Sequence, residues 1–144
     1  MAPFLFPEGP QMQTGLHFPR RLRFAELSYP RQKLLRLCQT TNFGSILGLE
    51  IREGEPVFDP APVLLFDVKL DRSDPPRSET ELPDFDLTQE AVRLMDRLDQ
   101  MVTTTIELLE VRAGIPRRVV FRAGVALATG FNFLIQEGGK ENRS

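Results

Sequence analysis

The chain predicts an α+β fold, two helix-plus-β-hairpin units (an αββ repeat) forming one antiparallel sheet packed against two helices. Three observations carry this. The stretch Leu49-Glu50-Ile51-Arg52-Glu53-Gly54-Glu55-Pro56 returns sixty positions later as Leu109-Glu110-Val111-Arg112-Ala113-Gly114-Ile115-Pro116, identical at five of eight positions. Each copy flanks a Glu with apolar residues and then places Gly where a reversing chain needs a residue tolerant of positive φ. Each is also preceded by a segment whose apolar residues recur at helical spacing. One such unit is too small to bury its own apolar face, so two in one chain predict an internal pseudo-dimer.

Residues 1–26 read as a tail, because Pro3, Pro7, Pro10 and Pro19 interrupt both helix and paired strand. The first unit spans 27–70. Pro30 suits the first position of a helix running to about Thr41, with Leu27, Leu34, Leu35 and Leu37 along one side. Cys38 shares that stripe and reads as a small buried hydrophobe. From Ser45 to Arg52 the period becomes two, with Leu47, Leu49 and Ile51 apolar, and Gly54 turns the chain into a return strand at Pro56. After Asp59-Pro60-Ala61-Pro62, Val63–Leu70 reads as a third strand, or the second resumed, with Leu64, Phe66, Val68 and Leu70 on one face. Residues 71–85 hold too many breakers for an element and read as a flexible linker.

The second unit spans 86–136. Asp86, with Gln89 three residues on, predicts an N-cap, and Leu87, Ala91, Leu94, Met95, Leu98, Met101 and Val102 follow at helical spacing. Thr103–Arg112 is rich in β-branched residues, Gly114 marks a turn, and Val119 and Phe121 share one side of a return strand. Ala123–Ile135 is uncharged, with Phe131 and Phe133 alternating with polar or apolar neighbours, and reads as a last strand or an oligomer contact. Residues 137–144 form a polar tail expected to be disordered.

A chemical search returns little. One cysteine and one histidine, His17, are too few for a disulfide, a cysteine-based zinc site or a multi-histidine centre. Gly138-Gly139-Lys140 lacks the spaced glycine and the following Ser or Thr of a phosphate loop. Glu79, Glu81, Asp84 and Asp86 would hold a divalent ion only if their loop converged on it. No cofactor is predicted, and the expectation is that the protein is not an enzyme. The absence of a signal-like start or a long apolar run predicts a cytoplasmic protein with no membrane contact.

The charge is segregated. Residues 1–42 carry six basic and two acidic groups, 43–111 carry six and sixteen, and 112–144 carry six and two, so the ends are basic and the middle acidic. Around the second turn stand Arg112, Arg117, Arg118 and Arg122, the one constellation with a mechanism: a basic hairpin can hold phosphates or acidic side chains. No aromatic residue interleaves with them as a base-stacking platform requires, and Glu50, Glu53 and Glu55 surround Arg52 in the first copy. A solvated strand face, or pairing with the acidic first hairpin, is the plainer reading.

Leu34-Leu35, Phe43-Gly44-Ser45-Ile46, Leu49-x-Ile51-x-x-Gly54 and Val68-Lys69-Leu70 together resemble the YezD-like family of small bacterial proteins, which pair a short helix with a Gly-turned hairpin. The resemblance covers about residues 31–70 and, more loosely, 87–122, where the Phe-Gly-Ser opening is missing. It implies the αββ unit and no assigned activity. The function expected is a non-catalytic interaction module that self-associates or binds a protein partner. Its candidate contact residues are Arg112, Arg117, Arg118, Arg122, Phe131 and Phe133. Nucleic-acid binding through the basic hairpin, and an enzyme with a carboxylate-only or oligomer-completed site, are the alternatives.

Overall fold

The computed structural model describes residues 21–123. The order is α1 (Tyr29–Thr41), β1 (Phe43–Arg52), β2 (Glu55–Val57), β3 (Val63–Phe66), α2 (Gln89–Gln100), β4 (Thr103–Arg112) and β5 (Ile115–Phe121). Five antiparallel strands form one sheet in the order β2-β1-β4-β5, with β3 on the same edge of β1 as β2. The fold is α+β, with both helices contributing buried residues to a core shared with the strands.

Each helix begins at a hydroxyl. Ser28 Oγ accepts the Arg31 amide and Thr88 Oγ1 the Ala91 amide, so each cap meets one of the orphan donors of a first helical turn. This corrects the expected cap at Asp86, whose carboxylate instead takes Arg23 Nη1 at 3.0 Å. Leu34, Leu35 and Cys38 of α1 and Ala91, Leu94, Met95 and Leu98 of α2 are buried, as are Ile46, Leu49, Ile51, Ile106, Leu109 and Val111 of the central strands. Val102, placed on the helical stripe by spacing, lies past the end of α2 and is exposed.

Buried positions in β1 step from Ile46 to Leu49, a spacing of three rather than two. The extra residue sits at Gly48, whose φ is +72°, and β4 makes the same step from Ile106 to Leu109. Both hairpins turn on two residues of positive φ, Glu53-Gly54 and Ala113-Gly114, the arrangement whose twist matches antiparallel strands.

Positions sixty apart thus occupy matching places: the caps Ser28 and Thr88, the buried Leu34 and Leu94, the turn residues Gly54 and Gly114, the buried Pro56 and Pro116. The register obeys the same shift, since Ile46↔Leu109 and Leu49↔Ile106 map onto each other. The halves diverge after the turns. β5 runs unbroken from Ile115 to Phe121, whereas β2 stops at Val57 and pairing with β1 resumes only at Val63.

The third strand is shorter than the spacing predicts. β1 begins at Phe43, whose carbonyl accepts the Asp67 amide at 2.8 Å, so residues past 67 have no strand to pair with. Leu64 packs against the core, but Phe66, Val68 and Leu70 are exposed. The connector carries a short 3-10 turn, Ser78–Glu81, and Arg36 of α1 donates to the carbonyls of Glu79, Thr80 and Leu82. The Arg36 guanidinium also lies 4.4 Å from the Phe24 ring centroid, and Phe24 stacks on Phe85 at 4.8 Å.

Candidate functional site

The helices lie on one side of the sheet, where Ile46, Leu64, Leu109 and Val119 face the core. Strand alternation turns their neighbours to the other side. There Val63, Leu47, Leu108 and Val120 are direct cross-strand partners in sequence across β3, β1, β4 and β5, an apolar row spanning the sheet. None of the four belongs to the core, and Val63 and Val120 are 57% and 41% exposed. Leu65, 50% exposed, extends the apolar surface one step along β3. A hollow of about 300 Å³ opens beside it, lined by Ser45, Phe66, Glu110 and Arg112 among others.

Charge frames the row in both signs. Glu110 accepts from Arg118 at 3.3 Å and lies 3.8 Å from Arg112, Arg122 pairs with Glu107, and Arg52 pairs with Glu50 at 3.3 Å. The four arginines singled out by sequence therefore do not gather into one basic patch. Arg112 and Arg118 share a carboxylate, Arg122 has its own, and Arg117 meets Glu90 of α2 at 3.3 Å. Their partners lie in the second half of the chain, because the Gly54 and Gly114 turns stand at opposite ends of the β1–β4 seam. Phe131 and Phe133 lie outside the described residues.

The remaining candidates engage in structural contacts. Asp84 and Asp86 both take Arg23, at 2.8 and 3.0 Å, and the Asp84 carboxyl is held below its ordinary pKa first by that Arg23 hydrogen bond and then by the Ala25 amide. Among the described residues, no three His, Cys, Asp or Glu side chains gather where they could hold a metal ion. Cys38 is fully buried and burial pushes its thiol up to about 12, which keeps it protonated and unreactive. No described helix is long and apolar enough to cross a membrane.

Sequence reasoning overlooked the apolar row. Its signal was the doublets Ile46-Leu47, Leu108-Leu109 and Val119-Val120 and the run Val63-Leu64-Leu65, because adjacent apolar residues in a strand cannot all face one side. Comparison of the chain with family models, with curated proteins and with solved structures finds no match.

Proposed function

We propose that this protein is a non-catalytic interaction module made of two fused αββ units, of the kind its resemblance to YezD-like proteins implies, and that it pairs with a second copy of itself through the uncovered sheet face. The observation that carries the reading is the apolar row Val63–Leu47–Leu108–Val120 on the side of the sheet away from the helices. Four strand widths of about 4.8 Å by about eight residues of 3.3 Å give a face on the order of 500 Å². Two such faces would bury about 1,000 Å², the lower bound for a specific interface.

Charge favours a copy over a polyanion. Three carboxylates, Glu50, Glu107 and Glu110, are interspersed with Arg52, Arg112, Arg118 and Arg122 and already pair with them. A face of mixed sign complements itself, whereas a nucleic acid would have to displace each ion pair. Light scattering on the full chain tests the reading. The expected mass is twice the 16.4 kDa of one chain, falling to one chain in Leu108→Arg and in Val120→Lys with unchanged circular dichroism. A wild type that stays monomeric to millimolar concentration, or variants that still dimerise, would overturn it.

A further inference from the structure

On the helix side of the sheet a groove of about 190 Å³ runs between α2 and β5. Leu94, Leu109 and Val119 line it with apolar surface, while Arg93, Arg97 and Arg117 bring guanidinium groups to it and Arg118 borders it. Glu90, paired with Arg117, is its one carboxylate among the described residues. The volume is below the roughly 300–1,000 Å³ of small-molecule pockets, so it suits a single side chain better than a cofactor.

Sixty positions earlier the corresponding place is filled by the chain itself. By strand pairing Glu50↔Val57 matches Glu110↔Arg118, so Phe58 stands where the second half has Val119; it packs against the core, and Lys33 Nζ lies 4.9 Å from its ring centroid. Lys33 corresponds to Arg93, so the second half keeps a cation at this place and has the smaller Val119 at the position of the ring. A cation over an aromatic face is attractive through the ring quadrupole. Beside the groove, β5 pairs with β4 alone among the described strands, so no described strand occupies the outer edge where an extended chain would add.

We propose that this groove binds an acidic, extended peptide segment of a partner protein, which inserts one aromatic side chain between α2 and β5. Three guanidinium groups, those of Arg93, Arg97 and Arg117, against the one described carboxylate select acidic flanking residues, and the Phe58–Lys33 arrangement indicates the aromatic ring. The inference rests on reading the two halves as copies. It is independent of the dimer face, since Arg93, Arg97 and Arg117 approach from the helix side.

The test is a ¹⁵N NMR titration of the full chain with the peptide Asp-Glu-Phe-Asp-Glu and with its Phe→Ala twin. Saturable shifts at Leu94, Leu109 and Val119 are expected, about tenfold weaker binding of the twin, and about tenfold weaker binding by an Arg93→Glu, Arg117→Glu variant. No shifts at these residues, equal binding of the twin, or an unaffected variant would overturn the proposal. An oligonucleotide of equal charge that competes as well as the peptide would overturn it in favour of a nucleic acid. A Phe58→Ala chain separates this proposal from the reading beneath it: new peptide-dependent shifts around Lys33 support the two halves being copies, even where the second groove stays silent.

Discussion

Gly44 is the most exacting position in the sheet. A Cβ placed there would stand 1.9 Å from the carbonyl oxygen of Leu65 and 3.1 Å from Thr41 Cγ2, at a φ of +154°. Side-chain carbons do not approach backbone that closely, so Gly44→Ala has to move β3 away from β1 by about 1 Å or more. β3 is held to β1 by four residue pairs, Gly44↔Phe66 to Leu47↔Val63, and the change strikes at the first of them. Overpacking of this kind costs about 1–3 kcal/mol, and loosening Leu64 and a ladder hydrogen bond adds about 1 kcal/mol, so a loss near 3 kcal/mol is expected. Gly48 is the internal control. Its φ is +72°, but nothing lies within 4 Å of its Cβ position, so Gly48→Ala meets backbone strain alone, about 1–2 kcal/mol. Urea unfolding of the three proteins at one fixed concentration measures both values and removes the effect of association on apparent stability. The reasoning is refuted if Gly44→Ala costs no more than Gly48→Ala.

Burial raises the Cys38 thiol to about 12, so the folded state keeps its proton while the unfolded thiol loses its own near 9. Stability is then unaffected below pH 9 and falls between 9 and 12, by about 1.4 kcal/mol per pH unit, a slope that Cys38→Ala removes in alkaline denaturant titrations. Alkylation of Cys38 should proceed only as fast as unfolding allows, and rapid labelling of the native chain would contradict the burial. Asp84 titrates below its ordinary value because Arg23 and the Ala25 amide bind its charged form. Its contribution is therefore present above the unfolded carboxylate pKa and lost as pH falls through the lower folded one. Hydrogen exchange of the Ala25 amide should quicken in that acid window in the wild type and be quick throughout in Asp84→Asn. Arg36→Met removes the donors to Glu79, Thr80 and Leu82 and the cation over Phe24, and should cost about 2–3 kcal/mol in thermal unfolding, with residues 77–85 becoming the fastest-exchanging part of the chain.

Helices, hairpin turns and the antiparallel sheet were legible because each leaves a local period in the sequence. Leu34, Leu35 and Cys38 announce one helix, Leu94, Met95 and Leu98 the other, and Gly54 and Gly114 their turns. What escaped depends on distance. Asp86 looks like a cap until Arg23, sixty-three positions away, is seen to hold it. Val68 and Leu70 continue an alternation that has run out of partner strand. The arginines of the second hairpin were visible as cations, but Glu90, Glu107 and Glu110, which divide them between two sides of the sheet, become their neighbours only through pairing and packing. The apolar row needed the register of four strands before its members could be seen as one line.

The seam between β1 and β4 has nine paired positions, and the sixty-residue shift maps eight of them onto one another. Two separate chains, each carrying one helix and one hairpin, could make the same seam with a true two-fold axis through its middle. Joining them end to end keeps the seam while releasing the halves from identity, since a change in one no longer appears in the other. The first half folds Phe58 inward and breaks its return strand after Val57; the second keeps its strand from Ile115 to Phe121, with Val119 at the matching point. On the proposed reading of two fused units, covalent linkage gives an asymmetric surface on a symmetric frame, which two copies of one short chain could not present.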